Sequence, residues 1–117
     1  YASPESTVRA NLRRFGGNTS QTLVAGWFAD TLAKSPPRTP VACSYIDCDT
    51  AKGTFEALSG IIPSLAVNGV IFSQDCHIPP VVSLLTSADT WERLGVPVPT
   101  MTRHDWRLVE LNWKGKN

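Results

Sequence analysis

Apolar residues recur along the chain at two spacings, and the switch from one to the other lays out the elements. In SPESTVRANLRRFGG, Val8, Leu12 and Phe15 share one face of a helix. Ser3 can cap its free N–H groups, Pro4 fits the first helical position, and Glu5 suits the positive end of the dipole. Gly16-Gly17 ends the pattern. Leu23 to Ala25 is a short apolar run stopped by Gly26, which predicts a strand. GWFADTLAKS predicts one or two helical turns, and the breaker-rich Pro36-Pro37-Arg38-Thr39-Pro40 predicts a loop.

VACSYID (Val41 to Asp47) is apolar nearly throughout and ends at an acid, as a buried strand does. Asp49 or Thr50 can cap the next helix, in which Ala51, Phe55, Leu58 and Ile62 keep helical spacing, with Pro63 near its end. Asn68-Gly69 predicts a turn into VIFSQD, a second buried strand that again ends at an acid. Pro79-Pro80 starts a helix carrying Val81, Leu84, Leu85 and Ala88, with Trp91 and Leu94 packing behind it. After the Pro97 and Pro99 loop, Met101-Thr102 predicts a short strand. Arg107 to Trp113 alternates polar and apolar, which predicts a half-exposed final strand. Strands alternating with helices predict an α/β fold with a mostly parallel sheet.

Composition narrows the classes. The 117 residues, 42% hydrophobic and 18% charged, make one domain, 1–117, with enough apolar sequence for a core. Eleven Lys and Arg against ten Asp and Glu give +1, a balance that argues against a nucleic-acid partner. No apolar run approaches the roughly 20 residues of a membrane span, and no signal-peptide pattern opens the chain. Cys43, Cys48 and Cys76 contain no C-x-x-C, so a structural zinc site is not expected. Free thiols fit a reducing, cytoplasmic setting. The chain opens on Tyr1 rather than Met, which suggests a fragment of a longer reading frame.

In an α/β sheet, ligands collect beyond the carboxyl ends of the strands. Asp47 and Asp75 both sit at such ends and converge if their strands are neighbours. Asp47, Asp49, Gln74 and Asp75, with His77 close by, make an oxygen-rich set suited to a hard cation such as Mg²⁺. A cation there would hold two substrate oxygens and prepare a hydroxyl as a nucleophile. The same residues also have ordinary structural roles: Asp49 can cap a helix and Asp75 can close a loop. His77 is either a general base or ligand, or a cap for the helix at Pro79. His104 is expected to be solvated, and Cys48 and Cys76 to be inert thiols lying near each other.

SPESTVRANLRRFG, AGWFADTL, YIDCDTAKGTFEALSGIIPSL and NGVIFSQDC together resemble the second half of the macrocin O-methyltransferase (TylF-like) family. The likeness is good over roughly residues 3 to 76 and only general beyond. It implies a partial Rossmann-like class I methyltransferase fold with helices on both faces of the sheet. It also implies S-adenosyl-L-methionine as cofactor and a small-molecule hydroxyl acceptor, a sugar or natural product. Asp47 falls where the family places a Mg²⁺ ligand, and Gln74 and Asp75 fall on its D-D pair. With the acceptor held there, Asp47 and His77 are the candidate catalytic residues. Trp27, Phe28 and Asp30 fall in the loop that borders the cofactor's adenine.

This chain departs from the family in three places. Gln74 replaces an acid, T-A-K-G-T replaces the usual L-Y-E-S-T, and no glycine-rich turn follows a first strand. In the family's order, 3-2-1-4-5-7-6, the chain would hold strands 3 to 7 and lack the first two. Its fourth strand would then expose a long edge, which invites pairing into a homo-oligomer. The 117 residues alone are expected to be inactive, and a non-catalytic α/β interaction module is the alternative.

Overall fold

The computed structural model describes residues 4–17 and 20–116. Helix α1 (Glu5–Phe15) begins after Pro4 and ends where the Gly16 N–H turns back to the Leu12 carbonyl, 2.8 Å away. Charge follows the dipole, with Glu5 in the first turn and Arg13 and Arg14 in the last. Ser3, the expected cap, lies outside the described residues. None of α1 is buried, and Phe15 on its apolar stripe is 73% exposed.

The strand expected at Leu23–Ala25 does not form, and residues 20–25 are irregular. A lone strand leaves its N–H and C=O groups unpaired unless a neighbour takes them. The sheet here has four strands, and this segment is not among them. The expected short helix follows as α2 (Phe28–Lys34). It lies against α3 (Ala51–Ile61) with Gly60 at the contact, where an added Cβ would stand 2.6 Å from the Leu32 side chain.

Strand β1 (Val41–Ile46) precedes α3, and a single 3₁₀ turn containing Pro63 (Ile62–Ser64) leads from α3 into β2 (Leu65–Ser73). Thr50, not Asp49, caps α3: its Oγ1 accepts the Gly53 N–H at 3.0 Å. The expected Asn68-Gly69 turn is instead a bulge inside β2, with Asn68 at φ 64°. Val41 pairs with Leu65 but Cys43 with Val70, so β2 advances five residues while β1 advances two. The helix begun at Pro79 is two: α4 (Pro79–Thr86) and α5 (Ala88–Arg93), separated by an extended Ser87. Strands β3 (Thr100–Arg103) and β4 (Val109–Asn112) complete the sheet.

The strand order is β1-β2-β4-β3. β1 and β2 are parallel, while β4 runs antiparallel to both β2 and β3. Three of the four strands therefore share one direction, as expected of this fold, while two of the three neighbouring pairs are antiparallel. Position in the sheet overrides two local readings. β1 reads as buried, yet it is an edge strand, and Tyr45 is 59% exposed. β4 reads as half-exposed, yet it is central, and Val109, Leu111 and Asn112 are buried.

Ile46, Ile71, Val109 and Leu111 come from one face of the sheet and join Leu58, Val81, Leu85 and Trp91 in the core. Trp91 donates its indole N–H to the Leu85 carbonyl at 2.9 Å and meets Trp113 edge to face. The reverse face carries Cys43, Tyr45, Val70 and Phe72, none of them fully buried. Helices are expected on both faces; among the described residues the buried core draws on one.

Candidate active site

β1 and β2 run side by side and end at the same edge, their last register pair being Ile46 with Ser73. The chain leaves β1 into Asp47 and leaves β2 into Gln74 and Asp75, so the two loops meet. Asp75 is fully buried. Its Oδ2 accepts two backbone N–H bonds, from Cys48 and Asp49, each at 2.9 Å. Its Oδ1 has no partner among the described residues. A buried carboxylate oxygen without a donor is costly and calls for a cation or a proton.

Asp47 and Asp49 supply the rest of the cluster. Both are exposed, and one carboxylate oxygen from each of Asp47, Asp49 and Asp75 lies within 4.8 Å of the others. Asp49 takes φ 64°, a left-handed conformation that Asp tolerates better than most residues. The Asp47 carboxyl is held above its ordinary value of 3.8. Partial desolvation is the largest cause, followed by the adjacent Asp75 carboxyl and then the charge of Asp49, with Arg107 opposing. Three carboxylates crowded at one edge, one of them buried with an oxygen that lacks a donor, fit an oxygen-seeking divalent cation.

Gln74 and His77 stand outside this triad. The Gln74 Oε1 accepts the Tyr45 hydroxyl at 2.7 Å. His77 is exposed and meets Trp106 edge to face at 5.1 Å, while the Arg107 guanidinium lies 4.1 Å from the Trp106 ring centre.

A cleft of about 400 Å³ opens beside the acids, lined by Trp27, Phe28, Asp47, Cys48 and Thr50 among others. Gly26, at φ 140°, turns the chain so that Trp27 and Phe28 start α2 at the cleft wall. Trp27 is 80% exposed. Asp30, one turn further along α2, is exposed and does not line the cleft. Arg107 was not legible as a site residue, because 60 positions separate it from Asp47 and only the sheet brings it near.

Strand order, direction and strand-end acids define an α/β fold of the methyltransferase type. The solved structure of the O-methyltransferase NovP shares it, with a TM-score of 0.77 and 25% sequence identity. That match covers 92% of this chain and 44% of NovP, so the chain spans less than half of that protein's length. The chain belongs to the macrocin-O-methyltransferase (TylF) family, whose sequence profile matches residues 1–107. A sequence comparison with curated proteins gives no match. The order β1-β2-β4-β3 corresponds to 4-5-7-6 of the family order, with the third strand unformed.

Proposed function

We propose that this chain carries the cation- and acceptor-binding half of an O-methyltransferase that depends on Mg²⁺ and S-adenosyl-L-methionine and acts on a hydroxyl of a sugar or natural product. The observation that carries the reading is the buried Asp75 carboxylate with its unpartnered Oδ1, clustered with Asp47 and Asp49 beside an aromatic-rimmed cleft. Asp47 and Asp75 are the cation ligands in this reading, with Gln74 as the third residue of the family's set. When bound, the cation acidifies an acceptor hydroxyl and the cofactor supplies the methyl group.

The chain's own groups position and shield. Trp27 and Phe28 would give the adenine an apolar wall at the cleft, and Asp30, on the same helix but outside the cleft lining, is the third residue of that segment. Asp75 fixes the loop that presents Asp47, through its bonds to Cys48 and Asp49. His77, two residues beyond Asp75 and exposed, is the candidate proton acceptor at the rim. Orientation and charge stabilisation then do most of the catalytic work. The sequence holds no glycine-rich turn for the methionine end of the cofactor, so the 117 residues by themselves are proposed to transfer no methyl group.

A second reading, a non-catalytic module that associates with another copy, is favoured by the β1 edge and its exposed Tyr45 and Cys43. Isothermal titration with Mg²⁺ separates the two. Binding by the chain that Asp47→Ala and Asp75→Ala both abolish supports the enzyme reading. Silence across millimolar Mg²⁺ overturns it, and sedimentation that depends on concentration would then support the module. No helix among the described residues is long and apolar enough to cross a membrane. With the free thiols, that is consistent with a cytoplasmic site of action.

A further inference from the structure

We propose that Asp49, rather than Gln74, supplies the third protein oxygen to the cation, and that Tyr45 holds Gln74 away from it. The inference rests on the cation-site reading above and changes its ligand set.

The geometry treats the two residues oppositely. Gln74 has one side-chain acceptor oxygen, and the Tyr45 hydroxyl already donates to it at 2.7 Å. Tyr45 lies on the reverse face of the sheet, in register with Phe72. That bond occupies one of the oxygen's two lone pairs and ties the amide to Tyr45. The amide's other terminal atom is an NH₂, which a hard cation does not accept.

Asp49 has no such engagement. Thr50 performs the capping that would otherwise occupy it, and among the described residues no hydrogen bond reaches the Asp49 carboxylate. Its backbone N–H is tied to Asp75 Oδ2 at 2.9 Å, which holds the residue in its left-handed conformation at the cluster. Its carboxylate oxygen lies within 4.8 Å of those of Asp47 and Asp75. The second, independent pointer to a ligand is Asp75 Oδ1, fully buried and without a donor.

Charge points the same way. Asp47, Asp49 and Asp75 bring three negative charges, one more than Asp47, Gln74 and Asp75 would, and affinity for a hard cation rises with ligand charge. The acid that the D-D pair lacks at position 74 is thus replaced from the neighbouring loop. The ligand class is a hard divalent cation, Mg²⁺ or Mn²⁺.

The test uses Mn²⁺ and the purified 117-residue chain, with free Mn²⁺ read by electron paramagnetic resonance, so no turnover is needed. Asn shares Asp's tolerance of positive φ, so Asp49→Asn keeps the backbone, and circular dichroism checks that it does. The expected result is one Mn²⁺ bound by the wild-type chain, displaced by Mg²⁺ and weakened about 10-fold or more by Asp49→Asn. Gln74→Ala is expected to leave affinity within error. Adding Tyr45→Phe to Asp49→Asn is expected to recover part of the loss, because the freed amide oxygen can then enter. If Gln74→Ala weakens binding as much as Asp49→Asn, or Asp49→Asn has no effect, the ligand assignment is wrong. No recovery on adding Tyr45→Phe would overturn Tyr45's restraining role. A wild-type chain that binds no Mn²⁺ removes the cation reading itself.

Discussion

The first forty residues and the remainder of the chain carry the same kind of helical spacing, and fold to different effect. α1 and α2 contain no buried residue, whereas every core residue lies between Ile46 and Leu111. Val8, Leu12 and Phe15 form as regular a stripe as Ala51, Phe55 and Leu58, yet only α3 lies on a sheet face. Periodicity specifies which side of a helix is apolar; it does not supply the surface that covers it. An isolated helix of 11 residues is marginal in water, so α1 is the weaker element although it is well capped by charge.

Core truncation breaks this contrast most severely. Trp91 is 1% exposed, and Trp91→Ala is expected to cost about 3–5 kcal/mol in chemical unfolding. A loss below that of an ordinary surface change would mean that the two regions are equally packed. Asp75→Ala strands the N–H groups of Cys48 and Asp49 and should cost about 1–3 kcal/mol. It should also abolish cation binding by calorimetry. Thr50→Ala removes the α3 cap, an expected loss of about 1 kcal/mol in the same assay.

Acid should act on the C-terminal hairpin specifically. The backbone N–H groups of Leu108 and Arg107 hold the Asp105 carboxyl below its ordinary 3.8, and His104 with Asn112 holds Glu110 below 4.5. Depressed values mean stability that is present above the ordinary values and lost as pH falls through the depressed ones. Asp47, with its value raised, works in the opposite sense: its contribution is present below 3.8 and lost as pH rises through the raised value. Thermal unfolding followed downward from neutral pH should show the acid loss, reduced in Asp105→Asn; an unchanged profile in that variant would count against the hairpin's role. The smallest effect belongs to α1, where Phe15→Ala should stay within about 0.5 kcal/mol. A larger loss would show that the apolar stripe of α1 is covered in solution.

Much of this architecture is legible in the residues themselves. The elements from Val41 onward follow from local pattern, because each strand finds a neighbour and each helix a face. The run at Leu23–Ala25 fails for want of a partner, which no local signal reports. Asn68-Gly69 carries turn chemistry, but the same left-handed preference serves a bulge as well. At the site, Asp47 and Asp75 are legible because acids follow two apolar runs that end at one edge. The parts played by Asp49 and Gln74 are not, since one depends on which of two adjacent residues caps α3 and the other on Tyr45, 29 positions away.

The four tryptophans fall into two environments. Trp91 is enclosed and meets a half-buried Trp113 edge to face, while Trp27 and Trp106 stand 80% and 62% exposed at the cleft and beside His77. The molecule therefore carries its own optical labels, with a blue-shifted emission from the core and a red-shifted one from the site rim. A flat aromatic compound entering the cleft meets only the second, so its arrival and the melting of the core can be followed in one cuvette as two separate spectral changes.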